Sequence, residues 1–247
     1  NYPSIFTTLD FTLLKHDSIL NVSPNTTIYV LDDGNFVINV SDGNNDPICE
    51  GIVAIYENGV NVANLTITNG TVIWNYSYNS DGVYNISIIY VENNKYTKST
   101  INRSVTVSKV NTNLSLESSV VTIYVFENVS FVINLTDENN LPIIGNVVVY
   151  DNGVNIANLA VDGVLVWNYS FESEGEHIIS VVYNGDTKYA SSNANVTLNL
   201  LKHGSVLSVS PDSAIYVLEN GAFVINVSDE NNDPICEGVV AIYENGV

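Results

Sequence analysis

Fourteen asparagines in this chain stand two residues before a serine or threonine with no proline between: Asn21, Asn25, Asn39, Asn64, Asn69, Asn75, Asn85, Asn102, Asn113, Asn128, Asn134, Asn168, Asn195 and Asn226. That triplet is the acceptor pattern for a covalent N-linked glycan. Alternation alone also produces it, because residues i and i+2 of a strand share one face. Asn39, Asn134 and Asn226 fall at the same place in three related segments, and Asn75 and Asn168 in two. Glycans on these five would cover a polar sheet face, oppose proteolysis and block unwanted lateral pairing.

The chain has two cysteines, Cys49 and Cys236, at equivalent places in two related segments. A disulfide needs Cα atoms within about 7 Å, so in an extended array they do not bond to each other. Two readings stay open: a buried thiol acting as a small apolar residue, or an interchain disulfide between neighbouring fibres. Asp42 to Asp46 and Asp229 to Asp233 are acidic turns, with a related Asp137-Glu138-Asn139-Asn140 between them. Such residues cap their own backbone; Ca²⁺, an oxygen-seeking cation, is the alternative for Asp42, Asp46, Asp229 and Asp233. No other metal and no further cofactor is expected. The lysines recur in register (Lys15, Lys109 and Lys202; Lys95 and Lys188) and pair with an acidic surface. Trp74 and Trp167, with Tyr56, Tyr76, Tyr90, Tyr150, Tyr169 and Tyr183, read as core and sheet packing. His16, His177 and His203 lack zinc-ligand spacing, and no nucleophile elbow, P-loop or dinucleotide fingerprint occurs. The chain is not expected to be an enzyme.

The elements that hold these residues follow from repetition. Phe36-Val37-Ile38-Asn39 recurs at Phe131–Asn134 and Phe223–Asn226, and Trp74-Asn75-Tyr76-Ser77 at Trp167–Ser170. The offsets are 92 to 95 residues, the size of one small β-sandwich. Residues 14–60 match 201–247 at an offset of 187, with 36 of 47 positions identical. The order is therefore A–B–A. Residues 1–13 read as the last strand of a preceding B-type repeat, 14–107 as repeat A, 108–200 as repeat B, and 201–247 as the first half of the next A-type repeat.

Within repeat A, short strands alternate with turn signals: Ser18–Ser23, Thr27–Leu31, Asn35–Ser41, Ile52–Tyr56, Asn61–Ile67, Thr71–Ser77, Val83–Val91 and Thr100–Val107. Phe36, Ile38 and Val40 fall on one face and Val37, Asn39 and Ser41 on the other. No sustained 3.6-residue apolar stripe is present, so the expected fold class is all-β, a tandem array of sandwiches with almost no helix.

Charge narrows the function. The chain has 247 residues, with 27 acidic against 7 Lys+Arg and a net charge of −20. Phosphate backbones and anionic lipid repel such a surface, which argues against nucleic acid. Hydrophobic content of 45% argues against a disordered acidic tail. No apolar run approaches the roughly 18 residues a membrane helix needs, so no membrane segment is expected in these residues.

Gly145-Asn146-Val147-Val148-Val149-Tyr150-Asp151-Asn152-Gly153, with Glu174–Asp186, Tyr189 and Ser191-Ser192, resembles the bacterial-type Ig-like repeat found in tandem in large surface proteins and adhesins. The Asn- and Tyr-rich character looks most like adhesin-like surface proteins of methanogenic archaea. Repeat A departs from the pattern at Val91-Glu92-Asn93-Asn94, where an Asn-Gly-Asp turn is expected. The resemblance implies the fold and an extracellular, cell-surface setting without a shared active site. The expected function is a structural, glycosylated stalk or extracellular filament, its partners being copies of itself or further repeats. The alternative is a multivalent adhesin that binds host or microbial surface glycans.

Overall fold

The structure is a computed structural model that describes residues 2–4, 6–23, 28–210, 217 and 220–244. None of the described residues is helical, and no helix is long and apolar enough to cross a membrane. The chain divides into two compact units: Asn1–Thr112 with the turn Asn184–Ser191, and Asn113–Tyr183 with Ser192–Val247.

The first unit holds eight strands: β1 (Ser18–Ser23), β2 (Ile28–Tyr29), β3 (Asp33–Asp42), β4 (Ile52–Glu57), β5 (Val60–Thr66), β6 (Thr71–Ser77), β7 (Gly82–Tyr90) and β8 (Ser99–Ser108). They form a three-stranded sheet, β1-β3-β6, and a five-stranded sheet, β2-β8-β7-β4-β5. All pairings are antiparallel except the short β2–β8 contact. β3 shows how sequence sets the sheet. Phe36, Ile38 and Val40 are buried while Asn35 and Asn39 are exposed, as period-2 alternation dictates. Asn58 and Gly59 take φ of 48° and 85°, the positive values that a two-residue hairpin turn needs. The core between the sheets gathers Phe36, Ile38, Val53, Ile55, Trp74, Ile86, Ile88 and Tyr90. Each such side chain contributes roughly 1.5–3 kcal/mol on burial, so this interior outweighs the surface ion pairs.

The second unit repeats the topology. Its strands are β9 (Thr112–Ser118, whose first residue falls in the first unit), β10 (Thr122–Tyr124), β11 (Asn128–Asp137), β12 (Ile144–Asp151), β13 (Val154–Asp162), β14 (Val164–Ser170), β15 (Gly175–Tyr183) and β16 (Ser192–Leu201). The sheets run β14-β11-β9 and β10-β16-β15-β12-β13. Phe131, Ile133, Leu135, Val147, Val149, Ile179, Val181 and Leu198 fill the interior.

Two antiparallel strands follow, β17 (Ser205–Ser210) and β18 (Val224–Asp229). Leu207, Val209 and Phe223 are exposed, although their counterparts Leu20, Val22 and Phe36 are buried in the first sandwich. Among the described residues no second sheet covers them. The strand expected over 1–13 is not formed by the described residues there: Phe6, Leu9, Phe11 and Leu13 are exposed and unpaired. A strand needs a neighbour for its backbone hydrogen bonds, and none of the described residues supplies one.

Candidate functional site: the asparagine faces of the sheets

The acceptor asparagines spread over the outer faces. On the β1-β3-β6 sheet, Asn21, Asn39 and Asn75 are exposed. Asn21 faces Asn39 across β1–β3, and Asn39 faces Thr71 across β3–β6, with the Thr71 hydroxyl donating to Asn39 Oδ1 at 3.1 Å. Asn64 is on edge strand β5, and its Nδ2 donates to Asn61 Oδ1 at 3.0 Å. Asn69 sits in a turn with φ of 51°.

Asn85 and Asn102 form a reciprocal arrangement on β7 and β8. The Ser104 hydroxyl donates to Asn85 Oδ1 at 3.0 Å, and the Ser87 hydroxyl donates to Asn102 Oδ1 at 2.7 Å. Each acceptor triplet therefore faces the hydroxyl of the other. The register of β11 and β14 gives the same result: Asn128 faces Ser170, and Ser130 faces Asn168 and hydrogen-bonds to it. The cause is geometric. Two antiparallel triplets paired in register bring the first residue of one against the third of the other.

Asn113, Asn128, Asn168, Asn195 and Asn226 are exposed, whereas Asn134 is half-buried. Asn113 Nδ2 donates to the Asp137 carbonyl at 3.3 Å. Asn25 lies outside the described residues.

The acidic turns are closed by their own backbone. Asp42 Oδ1 accepts from the N–H groups of Asn44 and Asp46 at 2.9 and 3.0 Å. Asp137 Oδ1 accepts from Asn139 and Leu141, both at 2.8 Å, and Asp229 Oδ1 from Asn231 and Asp233, both at 2.9 Å. Asp46 and Asp233 are exposed. Among the described residues no three His, Cys, Asp or Glu side chains gather to hold a metal.

Cys49 and Cys236 are both free and exposed, so the buried-thiol reading is wrong. The apolar position in that loop is the neighbouring Ile48, 1% exposed; successive loop residues diverge, and the thiol points outward. The lysines are tied to acceptors: Lys15 to Glu92, Lys202 to Glu174 at 2.6 Å, Lys109 to the Asp186 carbonyl at 2.5 Å, and Lys188 to Asp32 at 3.6 Å. Trp74, Tyr90 and Tyr183 are buried, whereas Tyr56, Tyr76, Tyr150, Trp167 and Tyr169 are half-buried. Trp74 stacks on Tyr76 and Trp167 on Tyr169, both at 4.9 Å between ring centroids.

One polar cluster was missed in the sequence. His177 is buried, its Nδ1 2.7 Å from Asp151 Oδ2 and its Nε2 3.1 Å from the Ser173 carbonyl. In the first sandwich the equivalent positions hold Tyr84, Glu57 and Ser80. Tyr84 Oη donates to the Ser80 carbonyl at 2.9 Å, so tyrosine and histidine secure the same loop. Glu57 Oε2 and Tyr78 Oη are buried with no hydrogen-bond partner among the described residues. Burial raises the Glu57 carboxyl above its ordinary value. Burial, and then the Glu57 charge, raise the Tyr78 hydroxyl. The repeat alignment, with Asp151 under Glu57 and His177 under Tyr84, was the signal that could have found the cluster.

Residues 115–200 match the profile of the bacterial Ig-like domain (group 3) family. The bacterial Ig-like match runs from within β9 to the end of β16 save its last residue. Among solved structures, fibronectin(III)-like modules of Clostridium thermocellum CbhA are 17% identical, with the likeness covering 74% of this chain and 95% of that one at a TM-score of 0.32. A chimeric titin Z1Z2 is 9% identical, covering 77% and 99% at a TM-score of 0.31. The S-layer protein rSbsC is 12% identical, covering 89% of this chain and 32% of that one at a TM-score of 0.37. No curated protein sequence matches the chain.

Proposed function

We propose that the chain is a structural, N-glycosylated segment of an extracellular, cell-surface stalk or filament built from tandem Ig-like domains. The observation that supports this is the distribution of acceptor asparagines: 12 of the 13 on described residues are exposed, and they lie on both sheets of both sandwiches. A catalytic or ligand-binding protein concentrates its polar groups in one concave place; here they cover the outer faces. The connections between repeats are short, Lys109-Val110-Asn111 between β8 and β9 and Lys202-His203-Gly204 between β16 and β17, as a tandem array requires. A covalent sugar coat protects such a surface and leaves copies of the chain, or further repeats of it, as partners.

The test is to secrete the full chain from a host that performs N-glycosylation. It is then digested with a nonspecific protease before and after enzymatic removal of the sugars. Protection that disappears with the sugars supports the coat; a chain that carries no sugar at any triplet overturns it. The same material on a glycan array addresses the adhesin alternative, for which the near-identity of 14–60 and 201–247 would supply multivalency. Reproducible, saturable binding to one sugar class would favour the adhesin.

A further inference from the structure

The register places two acceptor asparagines face to face. Asn21 on β1 is the direct cross-strand partner of Asn39 on β3, and both are exposed. Both begin acceptor triplets, Asn21-Val22-Ser23 and Asn39-Val40-Ser41. Directly opposed residues on an antiparallel pair have Cβ atoms about 4.5–5.5 Å apart. On the other flank of Asn39, the Thr71 hydroxyl of β6 donates to Asn39 Oδ1 at 3.1 Å. That bond turns the carboxamide oxygen toward β6. Nδ2, the atom that carries an N-linked sugar, takes no part in that bond.

We propose that Asn21 and Asn39 act as one glycan site, at which a sugar on either residue excludes a sugar on the other in the folded chain. The proposal rests on the glycosylation reading above. Attachment joins Asn Nδ2 to the anomeric carbon of a phosphate-activated sugar donor; Nδ2 loses one proton and the phosphate leaves. Oδ1 is untouched, so the Thr71 bond survives modification of Asn39. A pyranose ring with its hydroxyls is wider than the gap between opposed Cβ atoms, so sugars on both residues would compete for the same space above the β1–β3 pair. A second sugar on Asn21 has to part β1 from β3 or lift away from the sheet. β1 is an edge strand of a three-stranded sheet and is the element that would yield.

The third repeat supplies the internal control. Asn226 on β18 occupies the position of Asn39, but its cross-strand partner is Ser208, which begins no acceptor triplet. Asn226 therefore has no rival.

The experiment is site occupancy by mass spectrometry on the full secreted chain. Glu50 is the first glutamate, so a Glu-specific protease leaves Asn21, Asn25 and Asn39 on one peptide, and an Asn25→Gln background removes the third acceptor so that this peptide reports the pair alone. Molecules with sugar at both sites are expected at least tenfold below the product of the two single-site frequencies. Asn21→Gln is expected to raise Asn39 occupancy to that of Asn226. If one residue of the pair takes all the sugar, its replacement by Gln must hand the sugar to the other. A partner that stays bare, or joint occupancy equal to the product, overturns the exclusion while leaving glycosylation intact. Sugar at none of Asn21, Asn39 and Asn226 overturns the glycan reading of this face and the exclusion with it.

Discussion

His177 Nδ1 lies 2.7 Å from Asp151 Oδ2, and this buried contact ties the end of β12 to the start of β15 in the second sandwich. The other ring nitrogen holds the Ser173 carbonyl four residues back. The first sandwich secures the equivalent loop with Tyr84, and its carboxylate, Glu57, is left without a partner for Oε2 among the described residues. The two repeats thus share a scaffold and differ in how they accommodate a charge at one place.

His177→Ala should destabilise the second sandwich by about 2–4 kcal/mol, because a largely buried carboxylate loses its partner and the Ser173 carbonyl loses its donor. The double variant Asp151→Glu/His177→Tyr installs the first repeat's residues and should recover only the part of the loss that comes from the Ser173 carbonyl, as Tyr84 secures Ser80 in the first sandwich while Glu57 Oε2 has no partner among the described residues. Denaturant unfolding of the three proteins measures both; equal stability of His177→Ala and the parent would contradict the role given to the pair.

Glu57 makes the first sandwich respond to pH in a definite direction. Its carboxyl is raised above the ordinary 4.5 by burial, so the folded state holds the proton more tightly than the unfolded state. The associated stability is complete below the unfolded value and is lost as pH rises through the raised folded value. Glu57→Gln should therefore raise the melting temperature at about pH 7 and leave it unchanged well below the ordinary carboxylate range. A variant no more stable than the parent at neutral pH would sink this assignment.

The acidic turns should need no cation. Asp137→Ala is expected to cost about 1–3 kcal/mol through the loss of two backbone hydrogen bonds to a buried carboxylate, and a chelator should leave the melting temperature of the parent in place. A melting transition that drops with chelator and returns with added Ca²⁺ would favour the cation reading of Asp42, Asp46, Asp229 and Asp233.

Both thiols should react with a maleimide in the native protein, since Cys49 and Cys236 are exposed. If they link neighbouring chains, mild oxidation produces covalent oligomers that the Cys49→Ser/Cys236→Ser variant cannot form. Nonreducing electrophoresis reads the result, and a parent that stays monomeric after oxidation counts against the link.

Much of the first sandwich was legible in the sequence. Ser18–Ser23 and Thr71–Ser77 match their strands end to end, and Asn35–Ser41 lies inside β3, because alternation and turn residues are local properties of the chain. The expected Thr27–Leu31 strand shrank to Ile28–Tyr29 among the described residues, since its only strand partner is β8, in a short parallel contact. The candidate site was legible residue by residue but not as an arrangement. The acceptor triplets could be counted, yet nothing local says that Asn85 meets Ser104 or that Asn21 meets Asn39.

The sequence by itself determined the repeat length, the all-β class and, in β3, which residues face inward. A two-residue period and a ninety-odd-residue recurrence are written along the chain. Tertiary structure alone decided the partners: Asn39 beside Asn21, His177 against Asp151, and Ile48 buried where its neighbour Cys49 is exposed. Those outcomes depend on strand register and on which surface another strand covers, and both are set by segments tens of residues apart competing for the same hydrogen bonds and the same apolar interior.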